Sequence, residues 1–265
     1  MGEYSTLSQL EENQSHYEEW IRELGVVSPA SDHLMKLKKI PLFHVLKTLP
    51  DEQTLINFKN VLEMKKLISK KKLLSMGIFA ESLGGTLSFD ESFSRNEFVY
   101  FSSHFLQKSF SEMIVFTGSC QSIVGNVIYP DAFFCNDIAM YTNLMSSKTD
   151  LDSYKKSMLK VENGVDIVAR IIEVTYPNLA EFNVFDPLPY IPASLPFYGM
   201  DGWFNPEVAV KNEVLLNDEI RILITGKSDF TNQAGIIARR YGINPLIFNK
   251  REDMVNWYRN ILVED

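Results

Sequence analysis

The sequence predicts an α+β protein, and three observations support that class. Short apolar runs of strand length occur, such as "IPLFHVLK" at residues 40–47 and "EMIVFTG" at residues 112–118. Segments with apolar residues at helical spacing stand among them, as in residues 52–74. The two kinds of element alternate irregularly rather than in repeated strand–helix units, which favours an α+β arrangement within one domain.

The elements follow from apolar periodicity and from glycine and proline breaks. In the first part of the chain we expect a helix at 6–25, a strand at 40–47, an amphipathic helix at 52–74, a loop at 82–96, and strands at 97–103 and 112–118. In the second part we expect a helix at 150–176, a proline-rich connector at 185–203, strands at 213–216 and 220–226, a helix at 232–242, a strand at 243–248 and a helix at 253–262. This gives one domain over 1–265, with a helical appendage at 1–30 and a helical insertion at 148–182.

The composition excludes several classes of protein. Hydrophobic residues make up 45% and charged residues 23%, which is ordinary for a globular protein. The net charge of −8 argues against a surface that coats nucleic acid non-specifically, although a local basic groove is compatible with it. Cys120 and Cys135 fit no ligand spacing and favour a reducing compartment. Because no run of about 18 apolar residues occurs, we expect no membrane span and a cytoplasmic protein, or one delivered into a host cytosol.

Familiar catalytic motifs are incomplete. "TGKS" at residues 225–228 lacks the earlier glycine of a phosphate loop, since Arg221 stands in its place. "VAVK" at residues 208–211 resembles the lysine strand of kinases, but too little chain follows for the catalytic loops. The four histidines have no metal-ligand spacing, so no metal site is predicted.

Three polar or aromatic residues stand in strand-like segments. His44 lies within "PLFHVLK", Tyr100 within "FVYFSS", and Glu213 at the head of the apolar part of "KNEVLL". Taken singly, a strand histidine or tyrosine is usually a core residue, and a glutamate there usually marks the exposed end of a strand. Taken together and in this order, they resemble the H-Y-E constellation of the ADP-ribosyltransferase superfamily.

The resemblance covers roughly residues 40–250. "FVYFSS" is similar to the tyrosine motif of the poly(ADP-ribose) polymerase branch, and "NEVLL" is similar to its glutamate strand. The segment 213–248 looks like the C-terminal part of the DarT-like bacterial toxins. The implied fold is a split mixed or antiparallel β core with peripheral helices and a helical insertion. Lys211 stands where arginine-modifying members carry Glu or Gln, which argues against arginine as the acceptor.

The resemblance implies an NAD-dependent ADP-ribosyltransferase, with NAD as co-substrate and no metal. Cleavage of the nicotinamide–ribose bond builds positive charge on the ribose, and a fixed carboxylate such as that of Glu213 would stabilise it. Tyr100 would pack against the nicotinamide ring, and His44 would bind near the adenosine ribose and the carboxamide. Ser102 would support the nicotinamide amide, and Arg95 would meet the pyrophosphate.

The resemblance further implies a toxin or effector of bacterial or phage origin. Its acceptor would be a macromolecule, either a nucleic-acid base or a protein side chain, and a cognate antitoxin or inhibitor protein is an expected partner. The lysine-rich segment at 65–74 could guide a polyanionic acceptor, and the loop at 82–96 could close over NAD. Glu207 and Glu219 do not match the family position, so we expect both to be dispensable.

Two alternatives stay open from the sequence. One is a non-catalytic binding or interaction module with the same fold, and the other is an NAD glycohydrolase, in which water replaces the acceptor. Geometry separates the first from a transferase. A cleft lined jointly by His44, Tyr100 and Glu213 would favour the enzyme, and three side chains in unrelated places would favour the module.

Overall fold

The computed structural model describes residues 12, 15–23, 41–47, 50–78, 95–102, 110–119, 122–123, 133–136, 159–160, 188–189, 203–204 and 206–263. The helices are α1 (Tyr17–Glu23), α2 (Asp51–Met64), α3 (Lys70–Ser75), α4 (Ser228–Arg240) and α5 (Arg251–Val263), with a 3₁₀ turn at Arg95–Glu97. The strands are β1 (Leu42–Leu46), β2 (Lys66–Ile68), β3 (Phe98–Ser102), β4 (Met113–Gly118), β5 (Phe133–Asn136), β6 (Leu159–Lys160), β7 (Leu188–Pro189), β8 (Trp203–Phe204), β9 (Pro206–Lys211), β10 (Glu213–Leu215), β11 (Arg221–Thr225) and β12 (Leu246–Phe248). Within these residues, no helix combines the length and the apolar character that crossing a membrane requires.

Eight of the strands form one sheet, which confirms the predicted α+β class. Their order is β12-β11-β4-β1-β3-β9-β5-β6. The pair β11–β12 is parallel, with α4 between the two strands along the chain, and the other pairs are antiparallel. Two small sheets accompany it, β2 with β10 and β7 with β8.

Helices cover both faces of the large sheet where β1 and β4 run through its centre. Phe58 of α2 is fully buried and meets Phe116 of β4 edge-on, with ring centroids 6.1 Å apart. On the other face Tyr258 of α5 packs against Phe43 of β1 at 5.6 Å. Each such aromatic side chain contributes about 1.5–3 kcal/mol by leaving water. Successive residues of β1 therefore point into different layers, and His44 lies in the layer of α2.

The predicted helix at 52–74 is interrupted. α2 ends at Met64, and Lys65 takes the left-handed conformation with φ of 54°, which no helix can continue. Lys66–Ile68 then form β2, which pairs with β10. The helix prediction is wrong for these three residues, because their pairing partner lies far along the chain.

Other predicted segments are described only in part. Leu159–Lys160 form the short strand β6 against β5, so the helix predicted at 150–176 is wrong at these two residues. The rest of the insertion at 148–182 lies outside the described residues, as does the loop at 82–94. Of the N-terminal appendage, α1 is helical as predicted, and it packs Tyr17 and Ile21 against the core.

Candidate active site

The exposed part of β3 carries the tyrosine that the sequence singles out. Val99 and Phe101 are buried on one face of the strand, and Phe98, Tyr100 and Ser102 occupy the alternate positions on the other face, where Phe98 is buried as well. We call that face, with these three residues, the Tyr100 face. Tyr100 and Ser102 are half-buried, and the Tyr100 ring lies 6.2 Å from that of Phe98. A half-exposed aromatic ring held in a strand is suited to stacking on a planar ligand.

His44 occupies a largely aromatic environment in β1. Its ring centroid lies 5.6 Å from that of Phe101 and 6.4 Å from that of Phe116. Nδ1 donates a hydrogen bond of 2.8 Å to the backbone carbonyl of Tyr100. Burial lowers the pKa of His44 below its usual 6.5, and the hydrogen bond to that carbonyl opposes the shift only in part. The neutral imidazole thus carries its proton on Nδ1 and leaves Nε2 as an acceptor.

The side chains of His44 and Tyr100 lie on opposite faces of the sheet. Phe43 pairs with Ser102, so the next residue, His44, comes opposite Phe101. Phe101 and Tyr100 are neighbours along the strand and point to different faces. The structure joins His44 to the strand of Tyr100 through the backbone carbonyl, and the two side chains do not share a cleft, which is the geometry expected of the binding module.

Glu213 lies in the small sheet and is paired with two lysines. It heads β10, opposite Ile68 of β2, and its side chain is 17% exposed. Its Oε2 accepts from Lys72 Nζ at 2.5 Å and from Lys66 Nζ at 3.1 Å. The hydrogen bond from Lys72 is the main cause that lowers the pKa of Glu213 below its usual 4.5; burial opposes it, and Lys66 reinforces it. We call Glu213, Lys66 and Lys72 the Glu213 cluster.

A turn at Asn212 separates this cluster from the large sheet. Lys211, the last residue of β9, pairs with Phe98, the first residue of β3. Asn212 has a φ of 65°, and its N–H donates to the Glu97 carbonyl at 2.8 Å, while its own carbonyl accepts from Ser69 at 2.7 Å. The chain therefore leaves β9 before it reaches Glu213. Glu213 therefore lies beyond the turn, four residues along the chain from the partner of Tyr100.

β9 is a strand that the sequence prediction missed, and it pairs with the strand that carries Tyr100. Ala209 pairs with Tyr100, and Glu207 pairs with Ser102. Val208 and Val210 are buried, so the alternation typical of a strand was present in "PEVAVK", but Pro206 at its start and the kinase-like ending masked it. β9 therefore extends the large sheet beyond β3, on the side of the strand that carries Tyr100 away from β1.

Two other features of the predicted site are Arg95 and the lysine-rich segment. Arg95 opens the 3₁₀ turn directly before β3, and its side chain lies outside what the structure describes. Its predicted contact with a pyrophosphate therefore stays a prediction. In the lysine-rich segment, Lys66 and Lys72 bind Glu213 and Lys71 binds Glu97, so three of its charges have acidic partners within the protein.

A cavity of about 520 Å³ lies away from the Tyr100 face. It is bordered by the end of α2, by the turn between β10 and β11 and by the turn after α4, with Lys65, Arg221 and Tyr241 among its lining residues. Its volume is in the range of small-molecule sites. This cavity is the feature that best fits the alternative of a binding module.

Comparison with solved structures found a similarity to a bacterial protein of the DarT type. No family model and no curated protein matches the chain. The solved structure "Thermus sp. 2.9 DarT in complex with carba-NAD+" is similar to 81% of this chain and 97% of its own, with 11% sequence identity and a TM-score of 0.41. A similarity with a TM-score of 0.41 carries no argument about function. The candidate site is therefore judged from the residues described above.

Proposed function

We propose that the protein is an NAD-dependent ADP-ribosyltransferase, and the placement of Tyr100 is the observation that best supports this. Tyr100 is half-buried in the middle of the eight-stranded sheet, with Ser102 two residues along on the same face. An aromatic face beside a hydroxyl suits a flat ring that carries an amide, as nicotinamide does. A carboxylate is the remaining requirement, and the segment β9–β10 holds Glu207 and Glu213.

The proposed reaction transfers the ADP-ribosyl group of NAD. The bond between the ribose C1′ and the nicotinamide nitrogen breaks, and its electron pair leaves with nicotinamide. A nitrogen or oxygen of the acceptor bonds to C1′ and releases its proton, so the products are nicotinamide, the modified acceptor and a proton. The developing positive charge on the ribose is the part of the reaction that a fixed carboxylate stabilises.

Within this proposal the side chains have separate tasks. Tyr100 stacks on the nicotinamide ring, and Ser102 binds its amide. His44 acts as a positioning residue, because its hydrogen bond to the Tyr100 carbonyl connects β1 to β3 at the level of the stacking ring. Arg95 is retained as the proposed partner of the pyrophosphate.

NAD binding by matched tyrosine variants tests the proposal. We expect Tyr100→Ala to weaken NAD binding about tenfold or more in titration calorimetry, since it removes a stacking face. Tyr241→Ala is the control, because Tyr241 is exposed and lines the separate cavity. Loss of NAD binding in Tyr241→Ala but not in Tyr100→Ala would move the site to the cavity. Wild-type protein that neither binds NAD nor releases nicotinamide in a cell extract would end the proposal.

Labelled NAD can identify the class of acceptor, because the label stays on the molecule that receives the ADP-ribosyl group. We propose a macromolecular acceptor and a toxin or effector role, with an antitoxin or inhibitor protein as partner. Incubation with adenylate-labelled NAD and a cell extract should yield macromolecular label that either nuclease or protease removes. Nicotinamide release without any macromolecular label would instead identify an NAD glycohydrolase.

A further inference from the structure

The cavity of about 520 Å³ beside the end of α2 carries more cationic than acidic side chains, in a protein of net charge −8. Lys65 and Arg221 line it as cations, and Asp218 lines it as a carboxylate. In the part of the chain that the structure describes, neither of the two cations forms an ion pair, whereas the next lysine, Lys66, is bound to Glu213. Because the two charges are not compensated within the protein, they are available to an anion in the cavity.

Lys65 holds its position at a conformational cost. Its φ of 54° is a left-handed backbone conformation, which glycine adopts freely and lysine adopts only with strain. The backbone of Lys65 closes α2, since its N–H donates to the Leu62 carbonyl at 3.3 Å and its carbonyl accepts from the N–H of Leu216 at 2.9 Å. A glycine would make both bonds without the strain. Strained residues of this kind are concentrated at functional sites, and the Lys65 side chain lines the cavity.

The rest of the lining suits the apolar body of an organic molecule. The apolar side chains that border the cavity are Leu62, Leu216, Ile220, Ile222, Ile243 and Leu246. Tyr241, also in the lining, is 37% exposed, and its hydroxyl donates a hydrogen bond of 2.8 Å to Glu63. That bond holds the phenol ring, so its face can pack against a ligand. Apolar walls with a few charged groups, in a cavity of this volume, are typical of small-molecule sites.

We propose that this cavity is a binding site for a small organic anion with an apolar body. Lys65 and Arg221 bind the carboxylate or phosphate of that molecule, Arg221 through the paired N–H groups of its guanidinium. The apolar walls and the Tyr241 ring bind the body. The site is separate from the Tyr100 face, since none of the three residues of that face lines the cavity. It therefore stands whether or not the protein uses NAD.

Four probes separate the contribution of charge from that of apolar surface. Phenylacetate and phenyl phosphate carry both, inorganic phosphate carries only charge, and benzyl alcohol carries only the apolar ring. In ligand-observed NMR titrations we expect at least one aromatic anion to bind with a dissociation constant of about 1 mM or below, and the other two probes to bind at least about tenfold more weakly. The tighter aromatic anion identifies the anionic group as a carboxylate or a phosphate. Failure of both aromatic anions to bind would overturn the proposal, as would equally tight binding of inorganic phosphate or benzyl alcohol.

Matched variants test whether the binding occurs in the cavity. Arg221→Met and Lys65→Gly should each weaken binding of the tighter anion by about tenfold. The control is Arg239→Met, which removes an exposed cation of α4 outside the lining and should change the affinity by less than about twofold. Lys65→Gly relieves the strained turn and should unfold at a higher temperature, so its loss of affinity cannot result from a loss of stability. Wild-type affinity in Lys65→Gly or in Arg221→Met would overturn the site, and so would an equal loss in Arg239→Met.

Discussion

The segment β9–β10 connects the Glu213 cluster to the Tyr100 face, because β10 carries Glu213 and β9 pairs with the strand of Tyr100. The two regions differ in whether an acidic charge is compensated within the protein. In the cluster a largely buried carboxylate is bound by two lysines, so its charge is compensated within the protein. The Tyr100 face presents a half-exposed ring and a hydroxyl, with one glutamate in register. In a structural ion pair, the charge of the carboxylate is compensated by a cation within the protein. A carboxylate that stabilises a developing positive charge on a substrate must instead have its charge available to that substrate. A glutamate at the head of an apolar strand is therefore not by itself a sign of chemistry.

The largest effect on stability is expected from breaking the Glu213 cluster. Lys72→Met should lower the free energy of unfolding by about 3 kcal/mol, since a shielded carboxylate loses its shorter hydrogen bond. The matched control is Lys59→Met, because Lys59 and Glu63 form an exposed ion pair at 3.5 Å. That change should cost less than about 0.5 kcal/mol in urea denaturation. Equal effects of the two substitutions would contradict a structural role for the cluster.

The same cluster predicts a dependence on pH. The folded-state pKa of Glu213 is lowered, so its contribution to stability is present above its usual pKa of 4.5 and is lost as the pH falls through the lower folded-state value. In Lys72→Met the main cause of the lowering is gone, and the loss of stability in acid should be smaller. Urea midpoints measured down to about pH 3 compare the two proteins.

A somewhat smaller effect is expected at His44, which tests its role as a positioning residue. His44→Ala should cost about 2 kcal/mol, because it removes a hydrogen bond and the contacts with Phe101 and Phe116. Burial lowers the folded-state pKa of His44, so this stability is present above about pH 6.5 and is lost as the pH falls below it.

Two measurements on His44→Phe test whether His44 is a positioning residue: the pH dependence of stability and the affinity for NAD. His44→Phe keeps an aromatic ring but cannot titrate, so the change in stability between about pH 8 and about pH 5 should be reduced. NAD affinity of that variant should fall, since the link from β1 to the Tyr100 carbonyl is gone. The exposed His16 is the control, and His16→Phe should alter neither property. An unchanged pH dependence in His44→Phe would show that His44 does not contribute.

Local patterns predicted much of the fold. β1, β3, β4, β11 and β12 were found because each is a short apolar run, and α4 and α5 because their apolar residues recur with helical spacing. The break after α2 was missed, since Lys66–Ile68 are strand only through pairing with β10. β9 was missed as well, although it joins the strand of Tyr100 to β5.

The candidate site was less predictable for the same reason. The sequence singled out Tyr100 and Ser102, whose role stays a prediction, and the partners of Glu213 lie 141 and 147 residues away along the chain. No local pattern indicates that two lysines from another segment bind a given glutamate. The face to which His44 points likewise depends on its register with β3, which a single-residue shift would reverse.

The smallest effects are expected at the turn that separates the two regions. Asn212 and Lys65 are the two described non-glycine residues with positive φ, at 65° and 54°. Asparagine tolerates this conformation better than lysine does, so Lys65→Gly should stabilise the protein by about 0.5–1 kcal/mol and Asn212→Gly by less. Asn212→Ala should cost about 1 kcal/mol, because alanine cannot adopt the turn without strain.

Because Asn212 directly precedes Glu213, the substitution Asn212→Ala also tests the role of Glu213. If Glu213 is only an anchor, Asn212→Ala should lower stability and leave nicotinamide release by the folded protein unchanged within about threefold, since the hydrogen bonds of the turn go to the backbone of Glu97 and Ser69 and not to Tyr100. If Glu213 were catalytic, the same shift would move it relative to the ribose, and a displacement of about 1 Å costs roughly 100-fold in rate. Stability and rate measured together on Asn212→Ala therefore test whether Glu213 is catalytic without altering Glu213 itself.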